Sequence, residues 1–201
     1  SYAGLVFAYL GEAPVPAFEL PRKPAMEDPS RHLVTLDQVW DCNWFQQVEN
    51  SLDPVHIAFA HRWGKLTHYG EARKASATPE LSYFETPAGV RQVYSTGGRD
   101  RISDWTFPNN THLIVPGPNP GDPWSEICAW TVPVDDETTV RYRVYSYPAS
   151  GEPQAKRVAS EDPDYNPADH YHALFEADEA ARLRALDVAD LQFFTAQDYV
   201  A

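Results

Sequence analysis

The sequence predicts an α+β domain in which an antiparallel β-sheet is flanked by helices. Short strand-like runs, separated by turn residues, fill the middle of the chain from 80 to 147. Helical patterns lie on either side of them, at 42–61 and again after 163. Consecutive strands joined by short turns pair antiparallel, and helices before and after such a sheet cover its apolar face.

The first forty residues are predicted to hold two strands joined by an extended connector. The apolar run Leu5–Leu10 predicts a buried strand that ends at Gly11. Five prolines between 14 and 29 exclude a helix there, because proline removes an amide donor and clashes with the preceding turn. Leu33–Val39 predicts the second strand.

Six further strands are predicted after the first helix. Glu80–Thr86 and Val90–Ser95 are separated by Pro-Ala-Gly at 87–89, which indicates a hairpin. Apolar residues alternate with Arg141 and Arg143 in the last strand, so its arginine face is expected to meet solvent. The other four strands are Asp100–Phe107, Thr111–Val115, Ser125–Val134 and Thr138–Tyr147.

The end of the chain is predicted to return to helix. A polar stretch at 148–163 follows the last strand. Asn166 and Pro167 then match a helix cap followed by a first-turn proline. A last helix is expected to begin near Asp187.

Charge and cysteine content exclude several classes of partner. The net charge is −13, from 29 acidic and 16 basic residues, whereas nucleic acids and anionic membranes are bound by basic surfaces. Cys42 and Cys128 are too few for a disulfide scaffold and fit a reducing cytoplasm. The sequence shows no signal peptide and no apolar run of spanning length. We therefore expect a cytoplasmic protein without nucleic-acid or membrane partners.

The chemistry is concentrated in the helical segment 42–61. Glu49, Asp53 and His56 are spaced i, i+4 and i+7, which places them on one face of a helix. Because Asp53 precedes a proline, it is expected to cap a helix that bends or restarts there. His56 and His61 are separated by about 140° on an ideal helix, so they bind one metal only if the helix bends, loosens or ends between them.

Spacing alone leaves two interpretations of this segment open. A buried histidine is commonly a hydrogen-bonded core residue, and Asp53 is well explained as a helix cap. Two histidines and two carboxylates interleaved with apolar residues are nevertheless hard to bury without partners, and a metal would supply one.

Asp198 is a second candidate ligand, at the other end of the chain. With Leu191, Phe194 and Thr195 it completes an i, i+3, i+4, i+7 stripe, so it is expected to point inward. A carboxylate on a buried face needs a metal, a cation or several donors. The alternative is an exposed helix end.

The central pattern Glu-x3-Asp-x2-His-x4-His resembles the mononuclear-iron motif of Rieske non-haem iron oxygenases. The local sequence Asn-Trp-x-Gln-x2-Glu-Asn-Ser-x-Asp-Pro-x-His, at 43–56, is especially similar to the branch containing aromatic O-demethylases. Residues 2–11 resemble the strand that follows the Rieske domain in that family. Residues 196–201 resemble the segment that brings the carboxylate ligand.

This resemblance implies roles for the candidate residues and a fold. His56, His61 and Asp198 would be the Fe(II) ligands, and Asp53 would link a ligand histidine to the Rieske cluster of a neighbouring subunit. Glu49 and Asn50 would support that link. The implied fold is a helix-grip, START-like catalytic domain.

The resemblance also implies cofactors and partners that this chain does not hold by itself. The family takes electrons from a reductase or ferredoxin through a [2Fe-2S] cluster bound by Cys-x-His and Cys-x2-His, and neither pattern follows Cys42 or Cys128. We therefore expect 1–201 to be one catalytic domain truncated at both ends, inactive without a Rieske domain that precedes Ser1, and homotrimeric in the full-length protein. Its substrates would be O2 and a small aromatic compound, which it would hydroxylate or demethylate.

Two other function classes remain open from the sequence. One is a START-like module that binds a small molecule without catalysis. The other is a non-catalytic assembly subunit, in which the two histidines would lie apart.

Overall fold

A computed structural model describes residues 1–17, 19–56, 79–96, 99–117 and 121–159 of the chain. Helix α1 (Trp44–Leu52) follows the first strand, and helix α2 (Glu152–Ala159) follows the last. The seven strands are β1 (His32–Trp40), β2 (Glu80–Thr86), β3 (Gly89–Thr96), β4 (Arg99–Thr106), β5 (Asn110–Val115), β6 (Ser125–Pro133) and β7 (Thr139–Tyr147).

The seven strands form one antiparallel sheet in the order β1-β7-β6-β5-β4-β3-β2. Strands β2 to β7 each pair with the next strand along the chain, and β1 pairs with β7 at the far edge. Neighbouring strands lie about 4.8 Å apart, so β1 and β2 stand about 29 Å from each other. The connection from β1 to β2, which contains α1, must therefore cross the whole sheet.

The predicted antiparallel α+β architecture is confirmed, and so are its eight central elements. All six strands predicted after the first helix are present, with ends shifted by at most one residue. Leu33–Val39 lies inside β1, and the Pro-Ala-Gly turn joins β2 to β3. The 14–29 connector contains only a short 3-10 turn at Pro24–Met26 within its described residues. The helices predicted after 163 lie outside the described residues.

The two faces of the sheet differ in what covers them. Helix α1 packs on β4 and β6, and we call the face beneath it the helix face. The opposite face carries the apolar cluster of Cys128, Trp130 and Val144, against which Tyr2 and Met26 pack. Cross-strand partners share a face, so the register assigns every strand residue to one side or the other.

The prediction of a buried strand at Leu5–Leu10 is wrong. This segment makes only an isolated bridge, between Tyr2 and Leu5, and packs its side chains against the face opposite α1. Phe7 meets Trp130 edge to face at 5.4 Å, whereas Leu10 is 95% exposed. Its backbone pairs with neither edge strand of the described sheet, β1 or β2, so the segment contributes side chains and not a strand.

One further expectation is corrected. The arginine face of β7 is not freely exposed, because Arg141 and Arg143 lie on the helix face and are partly buried.

The polar stretch 148–163, to which no element was assigned, contains α2. A salt bridge between Glu152 and Lys156, one helical turn apart, supports this helix, and Ala155 is buried.

No helix in the described parts of the chain is long and apolar enough to cross a membrane.

A ladder of charged side chains crosses the face opposite α1. Arg91 donates two hydrogen bonds to Asp104, at 2.7 and 2.8 Å, and His112 lies opposite Asp104 on the next strand. His112 Nε2 lies 2.7 Å from Glu126 Oε2. The hydrogen bond with His112 holds the pKa of Glu126 below its ordinary value, and Arg91 does the same for the pKa of Asp104.

We expect acid to destabilise the protein in part through these carboxylates. A carboxylate whose folded pKa is depressed stabilises the fold above its unfolded pKa, and that stabilisation is lost as the pH falls through the folded value. Urea unfolding measured from pH 7 to pH 3 should therefore be less pH-dependent below about pH 4 in Glu126→Gln. Glu80→Gln, at an exposed position of β2, is the matched control. If the free energy of unfolding falls equally steeply with pH in the two variants, Glu126 does not contribute to the loss of stability in acid.

Candidate functional site

Helix α1 starts where its sequence provides a cap and is tied there to β7. Asn43 Oδ1 accepts a hydrogen bond from Phe45 N at 2.9 Å and so caps the helix. Thr139 Oγ1 donates to the Cys42 carbonyl at 2.8 Å. The N-terminus of α1 is therefore fixed above β7, next to the edge from which the chain arrives.

The middle of α1 is held by an arginine from the helix face. Arg141 Nη1 donates to Gln47 Oε1 at 3.2 Å, and Nη2 donates to Ser51 Oγ at 2.8 Å. Gln47 and Val48 are both buried in this contact. One guanidinium thus bonds two successive turns of α1, which fixes the rotation of the helix about its own axis.

The C-terminus of α1 is tied to the opposite side of the sheet. The Leu52 carbonyl accepts hydrogen bonds from Gln92 Nε2, on β3, and from Tyr83 OH, on β2, the latter at 3.3 Å. Gln92 Nε2 also donates to Tyr83 OH at 2.9 Å. Anchors on β7 at one end and on β2 and β3 at the other confirm that α1 runs across the strands.

The helix breaks directly after Leu52, as the proline at 54 predicts. Asp53 leaves the helical conformation, and its Oδ1 accepts a hydrogen bond from Val55 N at 2.9 Å. Helical backbone resumes at Val55 and His56. Asp53 therefore caps the restarted turn, which is the role that its position before proline predicts.

The structure brings Asp53 and His56 together at this break. His56 Nδ1 lies 3.9 Å from Asp53 Oδ2, and the His56 side chain is only 14% exposed, whereas that of Asp53 is 55% exposed. The carboxylate thus reaches from solvent to a mostly buried imidazole. Asn50 contributes its carbonyl, which accepts a hydrogen bond from Asp53 N at 3.3 Å, and Glu49 is exposed.

The other two predicted ligands, His61 and Asp198, lie outside the described residues. Within the described residues, no three His, Cys, Asp or Glu side chains are grouped as a metal site. Cys42 and Cys128 are both free thiols, and burial raises the pKa of each.

The sequence alone did not indicate which sheet residues hold helix α1. Arg141 and Gln92 were not singled out as site residues, although each is a polar residue at an inward-facing position of its strand. The alternation of apolar residues with arginines in β7 placed Arg141 on a polar face, and that face was expected to meet solvent. Only the crossing of α1 over the sheet shows that this face is covered.

The helix face also carries buried polar atoms that have no hydrogen-bond partner among the described residues. They form a diagonal band across β3 to β6, because each is opposite or diagonal to the next in the register. Buried polar atoms are normally paired, so such a band is typical of a surface that binds a polar ligand or ordered water. The atoms are Gln92 Oε1, Trp105 Nε1, Thr111 Oγ1 and Thr131 Oγ1.

Two curated relatives share sequence with this chain. The oxygenase subunit of tert-butanol monooxygenase / tert-amyl alcohol desaturase from Aquincola tertiaricarbonis is 29% identical over 165 residues, which is 69% of this chain and 33% of the relative. The oxygenase subunit of 5,5'-dehydrodivanillate O-demethylase from a Sphingobium strain is 40% identical over 63 residues, 31% of this chain and 14% of the relative. The chain thus spans a third or less of these relatives. No protein-family model matches it.

Solved oxygenases share the fold. Dicamba monooxygenase bound to dicamba superposes with a TM-score of 0.56 at 15% identity, over 93% of this chain and 65% of that structure. The terminal oxygenase of carbazole 1,9a-dioxygenase from Nocardioides aromaticivorans IC177 gives a TM-score of 0.50 at 16% identity, over 99% of this chain and 65% of that structure. At these identities the likeness concerns the fold.

Two curated relatives that are oxygenase subunits, and solved oxygenases that share the fold, support the predicted resemblance to Rieske-type oxygenases. They also support the predicted enzyme class, an oxygenase.

Arg141→Met should weaken the docking of α1, because it leaves Gln47 Oε1 and Ser51 Oγ without their donor. We expect a loss of about 2 kcal/mol in the free energy of unfolding, measured by urea denaturation. Lys156→Met is the control, because Lys156 makes an exposed salt bridge in α2, and its removal should leave the free energy of unfolding nearly unchanged. Equal losses would show that α1 does not depend on Arg141.

Proposed function

We propose that this chain is the catalytic part of a Rieske-type oxygenase that uses mononuclear Fe(II) and O2 to hydroxylate or O-demethylate an aromatic compound. The observation that carries this proposal is the break in the crossover helix, where Asp53 and His56 stand side by side and both ends of α1 are tied to the sheet. The fold would then be the helix-grip, START-like form of an α+β domain.

The described part of the site fits a ferrous centre. Imidazole and carboxylate donors suit non-haem Fe(II), and His56 would hold the ion together with His61 and Asp198. The Asp53 carboxylate near His56 Nδ1 favours a proton on that nitrogen and leaves Nε2 for the metal. Bound iron would supply O2 binding and its reductive activation.

Electrons would reach this site from outside the chain. The Asp53 carboxylate is about half exposed and lies 3.9 Å from the mostly buried imidazole of His56. It is therefore suited to contact an electron-donating group from another subunit. We infer that Asp53 receives a [2Fe-2S] domain, fed by a ferredoxin or reductase, with the full-length protein as a homotrimer. Asn50 would fix Asp53 through its carbonyl, and the exposed Glu49 would lie on the same contact surface.

The substrate would lie between α1 and the helix face. The band formed by Gln92, Trp105, Thr111 and Thr131, whose polar atoms have no partner within the described ranges, provides both donors and an acceptor there, which suits an aromatic ring with oxygen substituents. The same band would also serve a module that binds a small molecule without catalysis. The oxygenase would need His56 for O2-dependent turnover, whereas the binding module would not.

His56→Ala should remove most of the iron from the anaerobically purified full-length protein, because an iron ligand is lost. Asp53→Asn should keep the iron, since an amide oxygen still caps Val55, but should slow electron delivery at least tenfold. Iron analysis and single-turnover product formation measure the two effects.

The same experiment separates the alternatives. A full-length wild-type protein without iron, or one that retains O2-dependent turnover in His56→Ala, would reject the oxygenase proposal. Ligand binding that is unchanged in His56→Ala and unaccompanied by O2 uptake would favour the binding module. Oxygen uptake against a panel of methoxylated and carboxylated aromatics would identify the substrate class.

A further inference from the structure

The Leu52 carbonyl stands at the point where the iron-binding segment begins. In an uninterrupted helix it would accept the amide hydrogen of His56, four residues later. Helix α1 ends at Leu52, so the carbonyl is released from the helix and must find another donor. The next residue is Asp53, and the restarted turn contains His56.

Gln92 supplies that donor from the sheet. Its side chain is completely buried, and Nε2 donates to both the Leu52 carbonyl and Tyr83 OH. A carbonyl can only accept, so the amide nitrogen must face Leu52 and the orientation of the amide is fixed. Gln92 Oε1 is left buried without a partner among the described residues.

Among the described residues the buried Gln92 amide is paired through its nitrogen and not through its oxygen, which argues for a role of that nitrogen beyond packing. A buried amide oxygen without a hydrogen bond is unfavourable, and an apolar side chain would avoid burying one. An apolar side chain could not replace the two hydrogen bonds that Nε2 donates. These hydrogen bonds fix the distance between the C-terminal end of α1 and strand β3.

We propose that Gln92 is a positioning residue for the iron-binding segment: its amide holds the Leu52 carbonyl and thereby sets where Asp53 and His56 stand. The inference rests on the proposed function. Tyr83 OH is the weaker second anchor of the same carbonyl, at 3.3 Å and at an exposed position.

The test is metal affinity, measured on the full-length apo-protein with Co(II) as a redox-stable probe. Gln92→Met keeps the length of the side chain and removes both donor bonds. We expect Co(II) to bind at least tenfold more weakly, with altered visible absorption bands, because groups that orient metal ligands typically contribute 10- to 100-fold. Tyr83→Phe should weaken binding about threefold, in line with the loss of one partly exposed bond.

Gln38→Met is the matched control. Gln38 is also a buried glutamine on the helix face, but its carbonyl accepts from Arg143 and it makes no contact with Leu52. Thermal unfolding of the apo-proteins records what each change costs the fold. Equal losses of stability in the two glutamine variants, with weakened Co(II) binding in Gln92→Met alone, support the positioning role.

The possible failures are distinguishable. If wild type binds Co(II) and Gln92→Met binds it within twofold of wild type, the positioning role is wrong and the proposed function stands. If wild type binds neither Co(II) nor Fe(II), the proposed function falls and the inference falls with it. If Gln92→Met does not fold, Tyr83→Phe decides: unchanged Co(II) affinity and spectrum would overturn the role.

Discussion

The site depends on how one helix is held across a sheet. Strand β1 stands at one edge and β2 at the other, so the segment between them has to cross the helix face. A nine-residue helix is only about 13.5 Å long and could lie on that face at many angles. Three polar anchors remove this freedom: Thr139 at the N-terminus, Arg141 in the middle and Gln92 at the C-terminus. Hydrogen bonds are directional, so they fix position where apolar packing alone would not.

This arrangement explains why the helix face is polar beneath α1, whereas the opposite face is apolar where the N-terminal segment covers it. That segment packs against Cys128, Trp130 and Val144. The helix face instead carries arginines, glutamines and threonines, some paired with α1 and some without a partner in the described part of the chain. A fold that needed only a core would gain from apolar residues there. Polar residues at these positions are consistent with a face that positions a helix and receives a substrate.

Local sequence predicted the elements well where one residue type dictates the backbone. The proline at 54 required a break, and Asp53 caps the turn after it as expected. Alternating apolar residues and turn residues located the strands from 80 to 147. The failures were tertiary. Leu5–Leu10 has strand composition but packs its side chains on the face opposite α1 without joining a strand of the described sheet. The arginines of β7 alternate as a solvent face would, although Arg141 lies under α1 and both arginines are partly buried.

The sequence by itself determined the spacing of the motif and the helix break, because each depends on residues at most a few positions apart. The tertiary structure decided that Gln92, some forty residues after Leu52, is the donor for its carbonyl, and that Arg141 lies under the same helix. Such contacts follow from strand order and register, which no local pattern encodes. The neighbourhood of Asp53 and His56 is therefore set by strands that are distant in the chain.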